Sequence, residues 1–400
     1  MESIKELFKI GVGPSSSHTM GPQRICESIQ KEVGEQATRY EVTLYGSLAL
    51  TGKGHLTDYI IEKTLAPCPV SISWQIKALP VHPNGMMIVA YDKDDHELKR
   101  SVAYSIGGGS IVFENESFAK PRQYYPHQSI EAIENYLDDV GMDVYTYILQ
   151  NEDDDFEDYL REVLKVMEES VERGLTTRGY LPGKLHLKRV AADLYEEAKK
   201  AKNERLLLTS FAYAVSEGNA SGEKIVTAPT CGASGVLPAL IYYCHRVQKM
   251  PESKILRALG IAGLFGNLIK TNATISGAEG GCQAEVGSAI SMTAAAYASL
   301  LGLNLRQIEY AAEMGLEHQL GLTCDPVGGY VQIPCIERNG FGVLRAMDAA
   351  IYARELGKLR ENRVSFDSVV RVMKNTGHDL NPAYRETSLG GLAKELVIDD

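Results

Sequence analysis

The stretch NEDDDFEDYLREVLKVMEESV, residues 151–171, is where the sequence changes character. Its first eight residues form an acidic run that interrupts the apolar pattern and reads as a solvated linker or helix start. From Tyr159 onward apolar residues recur with a helical period. Upstream, residues 40–50 (YEVTLYGSLAL), 70–74, 85–92 (GMMIVAYD) and 97–106 are β-rich with period-two alternation, the last running into Gly107, Gly108 and Gly109. Downstream, helical patterns cover residues 188–202, 206–215, 236–247, 254–270, 285–301, 305–315, 341–356 and 365–375, and strand signals are scarce. The expected architecture is an α+β N-terminal domain, residues 1–150, followed by a larger all-α catalytic domain, residues 151–400.

Composition narrows the function. A chain of 400 residues with 44% hydrophobic and 23% charged side chains is long enough for two buried cores and matches a soluble globular enzyme. A net charge of -11 argues against nucleic acid or an anionic membrane as the main partner and favours a small ligand. The N-terminal MESIKELFKIGVGPSSSHT lacks a basic start followed by an apolar run, so it does not read as a secretory signal, and a cytoplasmic location is expected. Residues 288–305 (SAISMTAAAYASLLGLNL) read as a buried core helix rather than a membrane span.

Seven cysteines form an odd set, and in a reducing compartment metal ligation, catalysis or simple burial are more natural fates than disulfides. Cys26, Cys68 and Cys244 lie in strand, helix or apolar contexts and read as small buried hydrophobes. Cys282, Cys324 and Cys335 lie in glycine-rich junctions between helices, GAEGGCQ, LTCDPVGG and QIPCIERN. Their spacing matches neither a zinc ribbon nor a ferredoxin run, so spacing alone is a weak signal. Three thiolates without a nearby fourth would leave one iron of a 4Fe-4S cluster open, which suits a Lewis acid better than an electron carrier.

Longer motifs carry more. GAEGGCQAEVGSA, GLTCDPVGGYVQIPCIERN and the terminal YRETSLGGLA resemble the α-domain signatures of iron-sulfur L-serine dehydratases, and GPSSSHTMGP and LYGSLALTGKGHLTD resemble their β-domain signatures. The match spans nearly the whole chain in the order found in single-chain members. The resemblance implies Cys282, Cys324 and Cys335 as ligands of a 4Fe-4S cluster, an N-terminal β domain packed on an all-helical catalytic domain, and a homodimer. The implied reaction is elimination of water from L-serine to aminoacrylate, which hydrolyses to pyruvate and ammonia.

Other residues follow from both readings. In GPSSSHTMGP, Ser15, Ser16, Ser17, His18 and Thr19 could be a helix cap or a grip on a carboxylate, and the resemblance makes them substrate-site or domain-interface residues. In the turn after the first long strand, His55 with Thr57 beside it is the first choice for substrate contact and proton transfer, against the plain reading of a solvated loop histidine. Lys270 and Asn272, just before the Cys282 loop, and Arg338, three residues after Cys335, are expected to carry a basic side chain and amides toward the cluster face. Lys270 joins His55 and Thr57 as a catalytic candidate, and Asn272 and Arg338 are candidates for binding substrate. Arg385, Glu386, Thr387 and Ser388 either fold back on the site or cap the last turn. Cys231, in TAPTCGASG, reads as a tolerated small residue, and the terminal LVIDD lacks a cysteine that could plug an open iron position. The rivals are a pyridoxal-phosphate dehydratase, a redox or iron sensor, and a structural zinc site. The identity of the α-proton base and the preference for serine over threonine stay open in the sequence.

Overall fold

Period-two alternation becomes a five-stranded sheet. The computed structural model describes residues 1–114 and 122–396, and the last four residues of the chain, which include most of LVIDD, lie outside that range. Strand β1 (Ile10–Val12) stands apart from β2 (Arg39–Tyr45), β3 (Val70–Gln75), β4 (Gly85–Tyr91), β5 (Glu97–Ser105) and β6 (Ile111–Phe113), which form a sheet in the order β3-β2-β4-β5-β6. The β2–β3 pair is parallel and the others are antiparallel. Along β2 the buried residues are Tyr40, Val42 and Leu44, one face of the pleat. Helices Gly21–Val33 and Thr57–Leu65 cover that face with Ile25, Cys26, Ile29, Ile60, Ile61 and Leu65. Cys26 is therefore the packed small hydrophobe that its context suggests.

The strand read over residues 40–50 stops early. Gly46 takes φ 57°, which turns the chain out of the sheet, and Ser47–Thr51 form a short helix instead. That turn carries Ser47 away from the sheet edge and toward the helical unit.

The helical patterns are borne out as packed helices, among them Phe156–Thr176, Glu204–Ala220, Glu252–Asn272, Ser288–Leu300, Leu305–Glu317 and Cys335–Leu356. The Ala- and Ser-rich Ser288–Leu300 is buried on nearly every face, which requires small side chains where neighbouring helices approach closely. No helix among the described residues is long and apolar enough to cross a membrane.

The hydrophobic cores do not divide at residue 150. Met1, Ile4, Leu7, Phe8 and Met20, together with Tyr125, Ile130 and Tyr147, pack into the helical core, whereas the sheet core runs from Ile25 to Ala103. The cause is local: β1 pairs antiparallel with β7 (Lys224–Val226), and helices Ile130–Val140 and Val144–Asn151 present apolar stripes to the helical bundle. The segment after β1, residues 13–20, is consequently the strap that leads from one unit into the other, and Asn219 Nδ2 holds it by donating to the Pro14 carbonyl at 2.9 Å.

Candidate active site

The strap GPSSSHTM folds into a wide helical turn, Ser16–Met20, capped by Ser15, whose hydroxyl accepts from the His18 backbone N–H at 3.0 Å. All of Ser15, Ser16, Ser17, His18 and Thr19 are buried at the junction of the two units. His55, for which the plain alternative is a solvated loop histidine, is only 1% exposed. Two crossed hydrogen bonds hold the histidines: Thr19 Oγ1 donates to the His55 carbonyl at 2.8 Å, and Thr57 Oγ1 donates to the His18 carbonyl at 2.6 Å. The rings stack with centroids 4.4 Å apart. Thr57 thus positions His18 through its backbone.

The partners fix the tautomers, since a carbonyl can only accept. His55 Nδ1 lies 2.9 Å from the Thr51 carbonyl and carries the proton, which leaves Nε2 bare. Ser47 Oγ lies 3.0 Å from His18 Nε2 and 3.2 Å from the Glu386 carbonyl; it satisfies both only by accepting from Nε2–H and donating to the carbonyl. His18 Nδ1 is then an acceptor, 3.0 Å from the Ser17 hydroxyl.

The tail motif folds back on this pair. Glu386 Oε1 lies 3.6 Å from His18 Nδ1 and 3.8 Å from His55 Nε2. The Glu386 backbone N–H donates to the Cys324 carbonyl at 2.8 Å, so the same residue touches the histidines and a junction cysteine. Glu285 stands on the other side, its Oε2 3.9 Å from Cys324 Sγ. Burial, and then the facing Glu285, pushes the Glu386 carboxyl well above the usual carboxylate range; burial likewise pushes Glu285 up. His55 is held down to about 4 by burial, and His18 well below its usual value by burial and the neighbouring ring. Burial thus disfavours the charged forms of both imidazoles and of both carboxyls.

This has a consequence for stability. Because the His55 pKa in the fold lies below the unfolded value of 6.5, the unfolded chain binds the extra proton, and stability is greatest above pH 6.5 and falls as pH drops toward about 4. The expected loss from this group between pH 7.5 and pH 5 is about 2 kcal/mol. Urea unfolding of the wild type and of His55→Gln at pH 7.5 and 5 measures it; equal pH dependence in the two proteins would contradict the assignment.

Cys282, Cys324 and Cys335 stand close enough for their charges to act on one another. Cys282 precedes the wide turn Gln283–Gly287, Cys335 opens helix Cys335–Leu356, and Cys324 is held by a two-strand bridge to Arg385. All seven cysteines are free. Burial raises all three of these thiols, with Glu285 and the other thiols adding to the rise at Cys324. Arg338, one helical turn after Cys335, faces them and hydrogen-bonds Cys282; its Nη1 donates to the Thr323 carbonyl at 2.7 Å and its Nη2 lies 3.6 Å from Asp325. The Cys231 Sγ lies 3.5 Å from Met20 Sδ in the core, and of the site groups it feels Glu285.

Two observations test what the three thiols could hold. Among the described residues they do not fall within the 4.8 Å mutual spacing of donor atoms around a single ion, as the His18, His55 and Glu386 atoms do. Space is also kept beside Cys324, because a Cβ on Gly277 would stand 3.4 Å from its Sγ and 2.7 Å from Glu285 Oε2. A group wider than one ion, held by soft thiolates beside a guanidinium, fits this donor set. Gly277→Ala is expected to destabilise the fold by about 1–3 kcal/mol through overpacking against Glu285, measured by urea unfolding; wild-type stability would contradict the close approach.

Two candidates are not brought to the group. The Lys270 ammonium pairs with the Glu2 carboxylate and also reaches the Glu6 carbonyl at 3.5 Å. The Asn272 amide donates to the carbonyls of Gln128 and Leu268 at 2.8 and 2.9 Å. Their hydrogen bonds tie helix Glu252–Asn272 to the N-terminal segment and to the stretch before helix Ile130–Val140.

Two units meeting over a buried histidine pair, a carboxyl pair and three convergent thiols define a lyase-type pocket built for a small polar substrate. The family model for serine dehydratase alpha chains matches residues 26–393, and the chain belongs to that family. It is 40% identical to the L-serine dehydratase of Haemophilus influenzae over 99% of this chain and 100% of the relative. It is 39% identical to L-serine dehydratase 1 and 38% identical to L-serine dehydratase 2 of Escherichia coli, with both chains covered in full.

Proposed function

We propose that this protein is an L-serine ammonia-lyase that eliminates water from L-serine to give aminoacrylate, and from it pyruvate and ammonia, with Cys282, Cys324 and Cys335 holding a 4Fe-4S cluster. The observation that carries the reading is the convergence of three thiols, Cys282 and Cys324 buried and Cys335 half-buried, with the His18–His55–Glu386 group, in a chain that matches L-serine dehydratases end to end. When bound, such a cluster supplies an open iron as a Lewis acid, which eases departure of hydroxide, a leaving group whose conjugate acid has a pKa of about 15.7.

The protein's own groups do the rest. His55 presents a bare Nε2, fixed by the Thr51 carbonyl, and takes the Cα proton. Thr19 and Thr57 hold the two histidines in register. Ser17 is placed to share its hydroxyl between His18 Nδ1 and Ser15 Oγ, 3.3 Å away. Arg338 compensates the charge of the thiolates, on which it is aimed, rather than reaching out for a substrate on its own. Burial of the whole group excludes water from a base that must act on a weak carbon acid.

Pyruvate and ammonia should appear in equal amounts from L-serine under anaerobic conditions. Absence of both from protein that holds its iron would refute the reading. The same reading includes a homodimer: Phe341 and Tyr352, 68% and 58% exposed, stand on one stripe of helix Cys335–Leu356 and suit a second copy. Light scattering should give twice the 43.8 kDa chain mass, and a monomer mass would count against it.

A further inference from the structure

We propose that Glu386, with His18 Nδ1, is the seat of the substrate's α-ammonium group and so presents Cα to His55. The inference deepens the serine-lyase reading and rests on it. The tautomers derived above turn an acceptor nitrogen of each histidine toward Glu386 Oε1, at 3.6 and 3.8 Å, and the Ser17 hydroxyl beside His18 Nδ1 has Ser15 Oγ as its alternative partner. Three acceptors facing one point call for a donor between them, and an ammonium group offers three N–H donors around a single positive charge.

Two further observations point to a ligand. Glu386 is 5% exposed, and its Oε2 has no side-chain partner among the described residues, the Ala278 backbone N–H being the group that approaches the carboxyl. A groove of about 610 Å³ is lined by Ser47, which bonds the Glu386 carbonyl, and by Arg385 and Thr387, the residues on either side of Glu386. An amino acid brought into a dry pocket needs a counter-charge for its ammonium. Glu285, the other buried carboxyl, faces Cys324 and Gly277 instead. Glu386 also adjoins Cys324 through its backbone, which leaves the carboxylate and hydroxyl of the same small molecule to reach the thiol side.

The test compares ligands that differ only in the ammonium. In the anaerobic holoenzyme, Glu386→Gln should raise KM for L-serine at least tenfold while the inhibition constant of 3-hydroxypropionate, which is serine without its amino group, stays within twofold. Calorimetric titration with unreactive L-alanine should show the same tenfold loss, and Glu386→Asp should recover part of it. An unchanged KM, or a parallel rise in KM and in the 3-hydroxypropionate constant, overturns the proposal. So does a stoichiometric metal ion, beyond the iron of the cluster, that is present in the wild type and lost in Glu386→Gln, since the triad would then be a metal site. Wild-type protein that binds L-alanine through Glu386 yet forms no pyruvate from L-serine would overturn the functional reading and leave the ammonium seat standing.

Discussion

Cys324→Ala should lower iron from about four per chain, the content of a 4Fe-4S site, to below one, and should abolish pyruvate formation while the fold survives. Truncating one small buried side chain costs the fold only about 1 kcal/mol, whereas removing one of three thiolates leaves two, which cannot hold the cluster. Cys324 is the sharpest choice because its thiol stands beside Glu285 and its carbonyl receives the Glu386 N–H. Cys231→Ala is the control: that thiol is buried against Met20, and its loss should leave iron and turnover near the wild-type level. Metal analysis and circular dichroism of the two variants decide it. Retention of four irons in Cys324→Ala would remove that residue from the ligand set.

His55→Asn should lower kcat by about 10²–10⁴-fold, the usual contribution of a positioned general base, with iron content and KM little changed. The bare Nε2 is the product of a specific contact, the Nδ1 proton given to the Thr51 carbonyl, and of a burial that keeps the ring neutral at physiological pH. Exchange of the serine α-proton with solvent deuterium offers a readout that a structural role would leave unmoved. Exchange at the wild-type rate in the variant would shift the base to another group.

Much of this pocket could be read from residue order. The three junction cysteines stand out by their glycine-rich surroundings, and Arg338 falls one helical turn from Cys335, a spacing that keeps both on one face. The strap and the His55 turn were legible as motifs, but their burial was not, because it arises when the two units close over them. The tail motif left two readings open, and the structure takes the one in which Glu386 folds back, at φ 57°. Glu285 went unremarked. A carboxylate in the apolar GCQAEVGSA junction was the available signal, and it gained meaning only with Cys324 placed beside it. Lys270 and Asn272 lie close to Cys282 in sequence and apart from its partners in space, because helix Glu252–Asn272 ends with both side chains turned to other segments. The shift of residues 1–20 and 125–150 into the helical core has the same origin: β1 finds its partner strand some two hundred residues downstream, and local periodicity carries no record of that pairing.

The central claim is that turnover of L-serine depends on a cluster held by Cys282, Cys324 and Cys335. Protein purified without oxygen should be assayed for iron, sulfide and pyruvate formation, and assayed again after measured exposure to air. Brown protein with about four irons per chain, losing activity in step with its cluster, is the predicted result. Full activity in colourless, iron-free protein would contradict it.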